Sequence, residues 1–322
     1  MPEQEESFVC TRARKERHQS GAARHTMSDC FGCKSQKTIS GASSSPSHKT
    51  TPASILDSKA SLPSQWQSLK QVDMMARSTG GEIDVRADAT SAQLDQWKKD
   101  VGEAAAKLVE NGMVVGLGSG STALQFVAAL GKRVEREGLR IVGIPTSEQT
   151  EHFARQLNIP LSTLGEHTQL DLDVDGADEI ELGSLYLIKG HGGALLREKI
   201  VAAASKRMAV ISDDSKLVER LGSKFAVPVE VVQFGWQVTQ KRLADLGSKP
   251  ALRMTPQGKP FVTDGGNYIV DCAFGPMANP KEVAHHLDHV TGAVEHGLFL
   301  GFVWEAVVCG HGGLQILTRK GP

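Results

Sequence analysis

The chain has 322 residues, 40% of them apolar, enough for one large or two moderate domains with real cores. A net charge of −1 argues for neither a nucleic-acid nor a membrane-surface protein, and no apolar run reaches the length of a membrane span or a signal-peptide core. Five scattered cysteines do not read as a secreted disulfide framework, so a reducing, cytoplasmic setting is expected.

Residues 1–90 are rich in Ser, Thr, Lys, Arg, His and Gln, and the stretch ISGASSSPSHKTTPAS (39–54) cannot bury a core, so a disordered low-complexity extension is predicted. Glu3, Glu5, Glu6 and Glu16 argue against a transit peptide, and Met74 and Met75 offer a second start just before the folded part. Cys30 and Cys33 form a CxxC that Cys10 and His25 can complete as zinc ligands. A second paired ligand set is missing, so an inert segment is the better reading.

From Ser91 the pattern changes. Leu94, Trp97, Val101, Ala105 and Leu108 fall at helical spacing, with Ser91 as the expected N-cap and Gly112 as the C-terminal stop. Strands are predicted at 113–118, 139–145, 170–178, 185–190 and 208–214, with helices from about 121, over 147–158 and over 194–206. This alternation implies an α/β fold with a mostly parallel, Rossmann-like sheet and helices on both faces, spanning 91–225. After Val227 the order becomes strand, helix (235–247), strands at ALRMT, FVTD and YIVDCAF, then helix (280–290). That order predicts a small α+β, ferredoxin-like domain over 226–295, and the apolar run 297–310 is expected to rejoin the first core within 296–318.

The chemistry-bearing residues gather at predicted strand ends. Ser119, Gly120, Ser121 and Thr122 follow the first strand and open a helix, where small residues, backbone N–H groups and hydroxyls can hold an anion. No GK[ST] follows and the dinucleotide fingerprint is incomplete, so a phosphate-bearing metabolite fits better than NAD; the bland alternative is a plain tight turn. Asp175 and Asp178 flank Gly176 and Ala177 where a parallel sheet forms its ligand crevice. Two carboxylates there can exchange protons with sugar hydroxyls or, structurally, cap a turn. No His or third carboxylate at ligand spacing supports a metal. Glu179 and Glu181 are expected to face solvent.

Lys189 enters Gly190, His191, Gly192 and Gly193, where a cation can neutralise an oxyanion with little steric hindrance. Glu198, in the next helix, becomes a useful base if partly desolvated. Arg197 and Lys199 beside it are expected on a solvated face. Lys216 follows a further strand and can reach the same crevice, and one of Lys98 and Lys99 is placed to reach a phosphate. His285, His286 and His289 read as surface helix residues.

Together these motifs resemble type A ribose-5-phosphate isomerase over roughly 95–318: KKDVGEAA, GLGSGST, PTSEQT, DVDGADEI, KGHGGALLREKI, DDSK, FVTDGGNYIVD and GAVEHGLF. The resemblance implies interconversion of ribose 5-phosphate and ribulose 5-phosphate, no metal or organic cofactor, a homodimer or homotetramer, and neither nucleic-acid nor membrane partners. It assigns Glu198 as the proton-abstracting base, Lys189 as the enediolate-stabilising lysine and Asp175 and Asp178 as substrate-binding acids. Ser119 to Thr122 would form a substrate loop, with Lys216 and Lys98 as further contacts. His191 stands where many members have Gly, and the first 90 residues have no counterpart. Two rivals stand beside this reading. A non-catalytic sugar-phosphate sensor would need a DNA-reading module that residues 1–90 do not show, and a coenzyme A transferase would use Glu198 as a nucleophile.

Overall fold

The computed structural model describes residues 89–319. The readings made for the extension up to residue 88, including Cys10, His25, Cys30 and Cys33, lie outside the described residues.

The main sheet follows from short apolar strands that are buried on both faces. Its strands are β1 (Val114–Leu117), β2 (Val142–Pro145), β3 (Leu172–Asp175), β6 (Met208–Asp213), β13 (Val303–Gly310) and β14 (Gly313–Thr318), in the order β14-β13-β6-β3-β1-β2. All neighbours are parallel except the β13–β14 hairpin. Helices α1 (Ser91–Ala106), α2 (Ser121–Glu137) and α3 (Glu148–Gln156) contribute Val101, Phe126, Leu130 and Ala154 to a core with Leu117, Leu172, Val174 and Ile211. Helix α4 (Leu195–Ala204) packs Val201 against Ile144 and Leu170 in a separate cluster. Chain order turns at β1, with β2 on one side and β3 on the other, so a crevice opens at the carboxyl ends of β1 and β3.

The later segment forms β8 (Val227–Val231), α5 (Trp236–Asp245), β9 (Lys249–Leu252), β10 (Tyr268–Ala273), α6 (Pro280–Asp288) and β11 (Ala293–His296). Its antiparallel sheet runs β11-β8-β10-β9, a split β-α-β unit, with Leu243 and Leu287 from the two helices in its core.

Four expectations need correction. Thr90, not Ser91, caps α1, through a reciprocal capping box with Gln93. The helix stops at Ala106 rather than at Gly112, which instead serves a turn at φ +86°. The 185–190 strand is not in the parallel sheet. A third sheet, β12-β5-β4-β7, is built from β4 (Glu179–Glu181), β5 (Leu187–Ile188), β7 (Leu217–Val218) and β12 (Leu298–Phe299), and β5 pairs antiparallel with β4 and β12. The few residues between β4 and β5 allow a hairpin but no crossover helix, which decides the matter. FVTD forms only an isolated bridge, Val262 with Tyr268, because Gly265 and Gly266 turn the chain back at once. Among the described residues no helix is long and apolar enough to cross a membrane.

Gly102 lets α1 approach α2 closely: a Cβ there would lie 2.7 Å from the backbone of Gln125 and Phe126. Alanine gains about 1 kcal/mol of helix propensity, but overpacking costs about 1–3 kcal/mol, so the clash wins. Gly102→Ala is expected to lower the midpoint of thermal unfolding, measured by circular dichroism; a raised midpoint would show that the helices separate freely.

Candidate active site

Asp175 ends β3, and its carboxylate turns into the crevice. Its Oδ1 accepts the N–H groups of Ser119 (3.0 Å) and Gly176 (2.7 Å). Gly118 makes this approach possible, since a Cβ there would lie 2.6 Å from the Asp175 Cα. Lys189 follows β5 and reaches the same point. Its Nζ donates to the Gly176 carbonyl at 2.6 Å and lies 3.0 Å from Asp175 Oδ2 and 3.4 Å from Glu198 Oε1. Glu198 comes from the first turn of α4, so strand end, glycine loop and helix converge on one buried ammonium.

The electrostatics follow from this crowding. Burial pushes Glu198 up to about 8; Lys189 opposes the shift, while Asp175 and Asp178 add to it. Burial alone would lower Lys189, but the Asp175 and Glu198 carboxylates outweigh it and hold the ammonium charged. Asp175 is raised by burial, against Lys189 and its backbone donors. A base with a raised pKa, a fixed cation and an acid with bound backbone donors stand within a few ångströms of one another. That set can remove a proton from carbon and hold the resulting oxyanion.

The remaining predicted residues surround this cluster. Gly120 caps α2 at φ +92° without a side-chain bond, so the helix start at Ser121 and Thr122 has no side-chain cap. The Ser119 hydroxyl is already engaged, 2.7 Å from Thr146 Oγ1 and 2.7 Å from Ser147 Oγ, leaving its backbone as the part that faces Asp175. Ala177 packs beside the β4–β5 core, and Asp178 Oδ2 accepts the His191 N–H at 3.0 Å. The His191 side chain is exposed and its ring meets Phe225 edge-on at 4.6 Å, so it does not fill the loop; Lys216 Nζ sits 4.8 Å from the same Phe225 ring. Gly190 takes φ +105° against Leu195, and Gly192 is exposed. Lys98 pairs with Asp95 on its own helix at 3.6 Å.

Several partners were not foreseen. Glu179 is fully buried, contrary to expectation, because the N–H groups of Gly222, Lys224 and Phe225 converge on its carboxylate. Glu181 is half-buried and accepts from Ser184 Oγ. Arg253, ion-paired with Asp271, donates to the carbonyls of Gly190 (2.8 Å) and His191 (3.0 Å) and pins the glycine loop. Lys199 is largely withdrawn from solvent rather than on a solvated face, its ammonium drawn 2.7 Å from Glu295. Arg197 is partly exposed and pairs with Asp264 and Glu148. Asp173 lies fully buried, and neither of its carboxyl oxygens has a hydrogen-bond partner among the described residues. The spacing of Asp171, Asp173 and Asp175 was the available signal, since alternate strand residues share a face.

Burial and then the Asp175 charge hold Asp173 well above the usual carboxylate range. The folded chain therefore binds this proton more tightly than the unfolded chain, and stability drains away as pH rises above the ordinary carboxylate pKa. Asp173→Asn is expected to raise the unfolding midpoint at neutral pH by at least about 2 °C, with the gain shrinking toward pH ~4. A midpoint that falls more at neutral pH than at pH ~4 would show that the carboxyl is ionised in the fold.

Comparison with known proteins bears on the whole folded region. The model of the family described as ribose 5-phosphate isomerase A (phosphoriboisomerase A) matches residues 142–313. The chain is 53% identical over 229 residues to the ribose-5-phosphate isomerase A of Synechococcus sp., covering 71% of this chain and 100% of that one. It is 54% identical over 225 residues to that of Gloeobacter violaceus, covering 70% and 97%. The solved ribose 5-phosphate isomerase A of Methanocaldococcus jannaschii superposes with a TM-score of 0.67 at 39% identity, over 70% of this chain and 99% of that one. The Plasmodium falciparum ribose 5-phosphate isomerase gives 0.68 at 38%, over 70% and 100%. With half its length matched to the family model and full-length relatives at this identity, the chain belongs to the ribose 5-phosphate isomerase A family.

Proposed function

We propose that the chain interconverts D-ribose 5-phosphate and D-ribulose 5-phosphate through a cis-enediolate, with Glu198 as the base. The observation that carries the residue roles is the Lys189 ammonium held 3.4 Å from a buried Glu198 carboxylate and 3.0 Å from Asp175. A solved relative 36% identical to this chain is a D-ribose-5-phosphate isomerase in complex with phospho-erythronic acid, a phosphorylated sugar acid of matching ligand class.

In this reading the open-chain aldose lies over the carboxyl ends of β1 and β3. Its phosphate meets the helix start at Ser121 and Thr122, with Lys98 and Lys216 as candidate cations. Glu198 takes the C2 proton as the C1–C2 enediolate forms, and returns it to C1 to give the ketose. Lys189 balances the charge on the enediolate oxygen. Asp175 assists ring opening and moves the hydroxyl proton between the two oxygens, and Asp178 fixes the hydroxyls. One base on one face moves hydrogen without net oxidation, so the reaction balances within the substrate. General acid–base catalysis supplies about 10²–10⁴-fold and an oxyanion donor about 10²–10³-fold, enough to make each group measurable. Self-association into dimers or tetramers and a cytoplasmic location belong to the same proposal. Phe234, 96% exposed, with Val232 and Val238 also exposed close by in sequence, supports the first as apolar surface an interface would cover.

Glu198→Gln is expected to lose about 10²–10⁴ in kcat for ribose 5-phosphate while still binding it, assayed in EDTA without added cofactor. Because the base works only when ionised, wild-type kcat/KM should rise with pH through about 8 and then level. Near-wild-type turnover by the variant would remove Glu198 from the role.

A further inference from the structure

Glu198 and Lys199 are neighbours on α4, about 100° apart around the helix, so their side chains leave it toward different elements. Glu198 turns to Lys189. Lys199 turns to residues 295–299, where its Nζ donates to Glu295 Oε1 at 2.7 Å and to the His296 carbonyl at 2.5 Å. His296 Nδ1 stands 3.4 Å from the same ammonium and accepts the Leu298 N–H at 3.2 Å, so the ring proton sits on Nε2 and goes to Asp288 Oδ1 at 3.1 Å. Burial, then the Lys199 charge, push His296 down to about 4, which keeps it the neutral acceptor this arrangement needs. Asp288, Glu295 and His296 converge closely enough to hold a cation, and the cation beside them is Lys199.

The same five residues hold Lys189. Its backbone N–H donates to the Gly297 carbonyl at 2.9 Å, and Gly297 has no room for a Cβ against the Lys189 carbonyl. The fully buried Phe299 ring meets both lysines, its centroid 5.6 Å from Lys189 Nζ and 5.1 Å from Lys199 Nζ. One short segment therefore grips both the helix that carries the base and the loop that carries the cation.

We infer, resting on the reading of Glu198 as the base, that Lys199 is a positioning residue for the isomerisation: its ion-paired ammonium ties α4 to the 295–299 segment that also anchors Lys189, and so sets the spacing between base and cation. Without the tie α4 is free to shift, and misplacement by about 1 Å can cost about 10²-fold in rate. A Glu198 drawn away from Lys189 also loses the positive neighbour that favours its ionised form. Asp175 and Asp178 still oppose ionisation, so its proton is held more tightly.

The test measures isomerisation by the full chain against pH for Lys199→Met, Glu295→Leu, the double variant and Glu198→Gln, with thermal unfolding alongside. Lys199→Met is expected to lower kcat about 10- to 100-fold with KM within about 3-fold, and to displace the acid limb of the rate profile to higher pH. Glu295→Leu should act in the same direction, and the double variant should be no slower than the slower single, because both remove one tie. Wild-type kcat in Lys199→Met overturns the inference. So does a slower enzyme whose acid limb stays in place, the behaviour of an ion pair that only stabilises the fold, and so do losses that multiply in the double variant, which would show that the two residues act independently. If Lys199→Met does not fold, Glu295→Leu decides by the same two readings. Near-wild-type turnover in Glu198→Gln overturns the base assignment instead, whatever the Lys199 variant does, so the two failures are distinct.

Discussion

A single buried ammonium organises this molecule. Lys189 lies out of water among two carboxylates and a backbone carbonyl. Charges so placed carry a desolvation cost of several kcal/mol each, which only close and complete pairing offsets. The surrounding architecture meets that demand. Gly118 brings β1 against Asp175, the glycine loop carries Lys189 between sheets, and α4 supplies Glu198. The same crowding leaves Glu198 with a higher proton affinity than an ordinary glutamate, because burial and two further acids outweigh one lysine. The contacts that stabilise the fold are thus the same ones that tune the protonation of the candidate site.

Each sheet contributes something the others cannot. The parallel sheet supplies the carboxyl ends of β1 and β3 and an open helix start. The small third sheet, with β5 between β4 and β12, sets Lys189 beside that crevice. The split β-α-β unit reaches back through Arg253, whose guanidinium holds two loop carbonyls, and through Asp264, which accepts the Glu148 N–H and pairs with Arg197. Buried Glu179 joins this frame from below, fastening the start of β4 to the turn at 222–225.

The grouping of the candidate site residues was legible in the sequence because most of them stand at strand ends beside glycines, where local pattern and chemistry coincide. Asp175, Asp178 and Lys189 are of this kind, and Glu198 lies in the first turn of the helix that follows the glycine loop. What could not be read depends on contacts distant in sequence. Lys199 meets Glu295 96 residues away, and nothing local distinguishes it from a solvated lysine. Arg253 finds the glycine loop across 62–63 residues. Glu179 looked like a surface acid until three backbone donors some 43–46 residues on turned out to face it. Misplaced boundaries have local causes instead: Thr90 outcompetes Ser91 as a cap by pairing reciprocally with Gln93, and a double glycine stops FVTD from extending as a strand.

The place of β13 bears on how the chain is made. It lies between β6 and β14, paired in parallel with β6 over Val303–Cys309. As the chain emerges from the ribosome, β1, β2, β3 and β6 are complete while the outer edge of β6 still has no neighbour. That edge is Met208–Asp213, buried throughout in the finished fold. Until residues 303–310 arrive, the growing protein presents an apolar strand edge, the surface most prone to pair with another chain. The split β-α-β unit, synthesised in the interval, lengthens this exposure. Slow translation between residues 213 and 303 would therefore prolong the exposure of this edge.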